Sequence, residues 1–205
     1  MRIVSLLSLA ALGVAVAGLC GQEPRQGTPR QRATANDEAF SDKMFVEKAA
    51  VGGMFEVQTS QLAQQMATSP AVKRFAARMV TDHTKANREL TTLARQKGWR
   101  VPTAMDRKHQ EKLDELRKAG GAGATSGQFD RAYMDIQVTD HDEDVPLFEK
   151  AAQEGQDADL KAWAAKTLPT LKEHQQLAHQ IGGQLNPGGA APVQPGGRTR
   201  PVPPR

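Results

Sequence analysis

Two breaks in the chain, at Ser69-Pro70 and at Gly155–Asp157, constrain the fold more than any other feature. Each separates two long segments whose apolar residues recur at helical spacing, and each is only two or three residues long. Helices joined that tightly must turn back on one another, so the chain reads as two antiparallel hairpins. Ser69 offers a capping side chain, and Pro70 takes the first helical position, where its missing N–H costs nothing. Asp157 is the matching cap in the second break.

The spacing predicts helices over about Asp42 to Ala67, with Ser41 as N-cap, and from Pro70 to Lys97, stopping at Gly98. It predicts a third from Gln128 to Glu154 and a fourth from the Asp157 cap to about Ile181, ending at Gly182-Gly183. Between the hairpins, residues 98–127 form a long connection with one short helix, about Ala104 to Lys118. Thr103 is its expected cap, with Asp106 three residues on, and the run Gly120-Gly121-Ala122-Gly123 stops it. Hairpin, crossover, hairpin is an all-α architecture: a four-helix bundle with one long crossover connection carrying a short extra helix, the connectivity of ferritin-like folds.

Composition matters mainly at the ends. The chain has a formal charge of +4, with 27 Lys/Arg against 23 Asp/Glu. Residues 40–186 hold 20 of each sign, so the expected bundle is neutral and the excess lies in the flanks. A neutral body with basic tails excludes nucleic acid as the natural partner. Residues 1–17 read as a signal peptide: Arg2 precedes an apolar run from Ile3 to Ala17, too short to span a membrane comfortably, that ends in the small-x-small site Ala15-Val16-Ala17. The expected product is periplasmic or secreted. A lipid anchor through Cys20 is the alternative, disfavoured because Leu19 stands where a small residue belongs. Cys20 is the only cysteine, so no internal disulfide can brace the fold. Residues 18–39 read as a disordered linker, 40–185 as the bundle, and 186–205 as a disordered, basic Pro/Gly-rich tail.

One polar residue on each main helix interrupts the apolar face. On a helical wheel Glu56 lies about 20° from Phe45, and His83 lies about 20° from the centre of the stripe formed by Val72, Phe75, Met79 and Leu90. His141 falls within the wide face of the third helix, with Gln137 and Asp144 near its middle, and His174 sits inside one edge of the stripe of the fourth. Measured from their shared turn, Glu56 and His83 differ in height by about 4 Å, and His141 and His174 by about 7 Å. The second is a looser fit that kinks at Pro146 and Pro169 could alter.

Buried ionisable groups are costly unless they pair, hydrogen-bond or hold a metal. The functional reading is therefore an internal metal site with Glu56, His83, His141 and His174 as ligands and Asp144 as an additional or supporting one. That donor set suits a transition metal: zinc, copper or iron. The alternative is a set of hydrogen-bonded core polar groups that fix helix register, with His83 paired to Glu56. Di-iron chemistry does not fit, because those sites need Glu three residues before His, and here Val80, Val138 and Leu171 stand there.

The stretches Phe45–Ala63, Val72–Leu90, Phe129–His141 and Leu168–Ala178 together resemble a bacterial family, the domain of unknown function 4142. The resemblance covers about residues 42–181 and implies a ferritin-like fold and export, but no established reaction. It matches the family's recurrent Glu, Asp-His, Tyr and His positions to Glu56, Asp82-His83, Tyr133, His141 and His174.

No phosphate loop, CxxC pair or nucleophile elbow is present in the sequence. Asp82 and Asp140, each just before a histidine, are candidate acceptors of hydrogen bonds from neighbouring helices, but Asp82 lies about 80° from its stripe centre and reads rather as a surface residue. His109 and His179 read as bystanders, and Trp99 and Trp163 as packing anchors. The expected function is that of a non-enzymatic cell-envelope binding or structural module with an internal metal site, compatible with binding another envelope component through an outer face. The rival class is a metal-dependent redox enzyme, which would need an open coordination position and an access channel.

Overall fold

The computed structural model describes residues 40–186. The expected signal peptide, Cys20, the linker and the tail beyond Asn186 lie outside them. The described residues form five α-helices and no strand: α1 (Asp42–Met66), α2 (Pro70–Gln96), α3 (Arg107–Ala119), α4 (Gln128–Glu154) and α5 (Ala158–Leu185). Helices α1 and α2 form one hairpin, α4 and α5 the other, and α3 lies against α1 and α4. Across the bundle α1 faces α4 and α2 faces α5. The long crossover is therefore present, as the two short breaks required. Among the described residues no helix is long and apolar enough to cross a membrane.

Two aspartates join the hairpins at opposite ends. Asp130, near the start of α4 and 2% exposed, accepts hydrogen bonds from the backbone N–H groups of Thr68 (2.9 Å) and Ser69 (2.8 Å) and from the Thr68 hydroxyl (2.6 Å). Asp42, the first residue of α1, accepts from the backbone N–H groups of Gln156 (3.0 Å) and Asp157 (2.8 Å). Each carboxylate thus holds the turn of the opposite hairpin, through the last two residues before a helix begins. This corrects the expectation for Ser69, whose side chain makes no capping hydrogen bond. The acceptor arrives from a residue distant in sequence.

Two further boundaries differ from expectation. Helix α3 begins at Arg107, not Ala104, and Asp106 rather than Thr103 is its N-cap, accepting from His109 N–H at 2.9 Å. Aspartate is an effective cap, and it wins over the earlier threonine. Helix α5 runs through Gly182-Gly183 to Leu185. Gly182 is buried against α4, where an added Cβ would stand 3.6 Å from Val138, so it serves packing rather than termination. Helix α1 meets Asn87 of α2 at Gly53. A Cβ there would lie 2.0 Å from Asn87 Oδ1, so a larger residue fits only if the Asn87 side chain moves aside.

The core is layered along the bundle axis. At one end Phe45, Leu90, Phe148, Leu160 and Trp163 pack together, with Phe45 edge-on to Phe148 at 5.0 Å between ring centres. At the other end Phe75, Met79, Phe129, Tyr133 and Ile181 form a second apolar cluster. Between them lies a buried polar belt: Glu56, Thr59, Ser60, His83, Gln137, His141 and His174.

Candidate metal centre

The belt is where the four helices contribute polar side chains at one height. Thr59 and Ser60 are satisfied locally: Thr59 donates to Phe55 C=O at 2.9 Å, and Ser60 shares a 2.8 Å hydrogen bond with the Tyr133 hydroxyl. Burial pushes the Tyr133 phenol well above its ordinary pKa, so it stays neutral.

The three histidines meet at the centre. Their ring centres lie 5.7 Å apart for His83–His141, 5.4 Å for His83–His174 and 5.5 Å for His141–His174. His141 and His174 are fully buried and His83 is 6% exposed. One donor nitrogen from each ring lies within 4.8 Å of the other two.

The 7 Å height mismatch between His141 and His174 is overcome by side-chain direction. Cβ atoms tilt toward the N-terminus of their own helix. In an antiparallel pair the two tilts are opposed, and here each carries its ring toward the other. Helices α4 and α5 each continue through their internal proline, Pro146 and Pro169.

Hydrogen bonding settles where two of the lone pairs point. His141 Nδ1 lies 2.9 Å from the Gln137 carbonyl, which can only accept, so Nδ1 carries the proton and Nε2 is the free lone pair. His174 Nε2 lies 2.9 Å from the Asp82 carboxylate, so Nε2 donates and Nδ1 is free. His141 Nε2, His174 Nδ1 and His83 Nε2 have no hydrogen-bond partner. Asp82 is therefore corrected from a surface residue to the group that orients His174, while Arg78 holds Asp82 from the same helix at 3.3 Å. The Cα angle misled because the carboxylate reaches across to α5.

All three rings are held neutral. Burial is the main cause of lowering for each: His83 lies well below the ordinary imidazole range, His141 at about 4, and His174 is lowered although Asp82 works in the opposite sense. Repulsion between the rings adds to the effect in His83 and His141. Neutral imidazole is the metal-binding form. A zinc–nitrogen bond is about 2.0–2.1 Å, which in tetrahedral geometry puts ligand nitrogens roughly 3.3–3.4 Å apart. Closing from 4.8 Å requires each ring to move inward by less than about 1 Å.

The expected carboxylates lie elsewhere. Glu56 is not among the mutually close donors; its Oε1 is 4.0 Å from His141 Nδ1, the nitrogen already bonded to Gln137. Both Glu56 oxygens lack hydrogen-bond partners. Burial, then the nearby Asp140 and Asp144, push its carboxyl well above the usual range, and the Gln137 amide offsets this only in part. Asp144 stands with Glu56 on a cavity of about 670 Å³ between α1, α4 and the start of the crossover helix. Burial, reinforced by Asp140 and Glu143, raises its carboxyl to about 7.

Asp82 is the site residue that the helical pattern underweighted; Gln137, placed near the middle of its helix face by the pattern, meets His141 through its main-chain carbonyl. His109 packs edge-on to Phe55 at 5.2 Å, and His179 bonds the exposed Asp142, so neither joins the centre. Trp163 is buried in the first apolar cluster and Trp99 packs against it. No curated protein and no solved structure matches this chain. The profile of the domain of unknown function DUF4142 matches residues 26–181, and the chain, with its helical bundle and its Glu, Asp-His, Tyr and His positions gathered in and around one buried belt, belongs to that family.

Proposed function

We propose that this protein is a cell-envelope binding module whose bundle holds one transition-metal ion on His83, His141 and His174. The observation that carries the reading is the set of three buried ring nitrogens without hydrogen-bond partners. A histidine set kept only for helix register would pair its nitrogens. Leaving a buried polar group unpaired costs about 1–3 kcal/mol, and three such groups facing one another make a poor structural device. Three imidazoles without a close carboxylate favour zinc, copper or iron over hard cations. Asp82 and the Gln137 carbonyl then act as the outer partners that orient ligand histidines.

A binding role fits better than the rival redox role because the ring nitrogens are enclosed by the two apolar clusters. The envelope location rests on the leader-like sequence of residues 1–17.

The test is metal content of the full-length chain, expressed with export and purified without chelator, by mass spectrometry. Wild type should carry about one metal ion per chain. His83→Ala and His174→Ala should lose it while keeping their helical circular dichroism. A folded wild type that stays empty after challenge with zinc, copper and iron overturns the proposal. Recovery of the chain from the cytoplasm rather than the envelope fraction overturns the location.

A further inference from the structure

The acidic cavity beside the belt is chemically unlike the histidine centre. Glu56 is 1% exposed, lines the cavity, and has two oxygens without partners. Asp140 shares the cavity. Its Oδ1 accepts from Lys112 of α3 at 2.9 Å, and its buried Oδ2 has no partner. Asp144 completes a group of three carboxyls faced by a single partly buried ammonium, Lys112. The other charged residues on the cavity are exposed or, like His109, turned to a partner of their own.

We propose that this cavity is a second cation site, taking a hydrated divalent cation of the oxygen-preferring class (magnesium, manganese or calcium) on Glu56, Asp140 and Asp144. Burial keeps protons on Glu56 and Asp144 until a cation enters; once a cation displaces them, three carboxylates against one ammonium leave two negative charges, the charge of one such ion. The three carboxylates do not form a set of mutually close donors like that of the histidines, so they cannot all bind the ion directly, and water must bridge it to at least one of them. A magnesium-like ion binds in that way, through one or two carboxylates and several retained waters. Six waters occupy roughly 180 Å³ at about 30 Å³ each, well within the 670 Å³ of the cavity.

Lys112 is the built-in competitor. Its ammonium occupies the Asp140 side of the cavity and sits 5.7 Å from the centre of the Phe55 ring. A cation entering must displace or share it, so Lys112 sets the affinity. The site is separate from the histidine centre because His141 Nδ1, the ring nitrogen 4.0 Å from Glu56 Oε1, is committed to the Gln137 main-chain carbonyl. The inference therefore does not depend on the histidines holding metal.

Manganese binding to the full-length chain, read from loss of the free-ion electron paramagnetic resonance signal, tests it. Wild type should take up one manganese ion, and His174→Ala should bind it equally well. The double variant Glu56→Gln/Asp144→Asn should bind at least tenfold more weakly. Lys112→Met should bind at least tenfold more tightly, a gain that misfolding cannot produce. The inference is overturned if the double variant binds within twofold of wild type, or if His174→Ala abolishes uptake. It is also overturned if neither wild type nor Lys112→Met binds manganese at millimolar concentration. Zinc content in the same His174→Ala variant reports separately on the histidine centre.

Discussion

Acidifying the solution from pH 7.5 to 5.5 should remove little of the metal from the histidine centre. An ordinary imidazole titrates near 6.5, so at pH 5.5 only about one ring in eleven is neutral. Three independent ligands of that kind would lose roughly a thousandfold in apparent affinity, since each must shed its proton to bind. His141 instead lies at about 4; at pH 5.5 it is only about 3% protonated, and its share of the loss nearly vanishes. His83 and His174 are lowered as well, chiefly by burial. We predict a loss below about tenfold across those two pH units. The assay is zinc competition against a chromophoric chelator calibrated at each pH, with circular dichroism recorded in parallel. The parallel record matters because the metal-free fold has its own acid sensitivity. Below pH 6.5 the unfolded histidines bind protons that the folded ones refuse, so acid favours unfolding until the folded rings also titrate. For His141 the window runs from 6.5 to about 4 and is worth about 3 kcal/mol. A thousandfold loss of zinc from protein that is still folded at pH 5.5 would refute the reasoning, because the rings would then be solvated.

Three further outcomes are expected. Asp82→Ala should weaken metal binding by about 10–100-fold with little change in helicity, since only the orientation of His174 is lost; unchanged zinc competition would contradict this. Asp130→Ala leaves the Thr68 and Ser69 N–H groups without their acceptor and should cost about 2–4 kcal/mol in urea unfolding; a cost under about 0.5 kcal/mol would show that water replaces it. Gly53→Ala forces its new methyl onto Asn87 Oδ1 and should cost about 1–3 kcal/mol. In the background of Asn87→Ala the penalty should largely disappear, and a double-mutant cycle showing simple additivity would place the strain elsewhere.

The hairpins were legible because Ser69-Pro70 and Gly155–Asp157 are local punctuation, written in adjacent residues. The belt was legible because His83, His141 and His174 interrupt apolar periodicity, a property of each helix alone. What stayed hidden depends on side-chain reach and long-range pairing. Asp82 sits off its stripe, yet its carboxylate meets His174, 92 residues away. Asp130 is a first-turn acid of α4 whose partners, in the Thr68–Ser69 turn, lie 62 and 61 residues away. Glu56 and the histidines share a height, but angle and height do not say which side of His141 a carboxylate will face. Gly182-Gly183 carried a termination signal that packing against Val138 overrode.

The exchange of Asp42 and Asp130 between the hairpins bears on how the chain becomes a bundle at all. Each turn finds the acceptor for its backbone in the other half, at the same two positions before α2 and before α5. A solitary hairpin would have to leave those groups to solvent and its polar belt half assembled. Neither half is a finished object, so secondary structure and assembly mature together. The three belt histidines, drawn from both halves, come into register only when that mutual closure is complete.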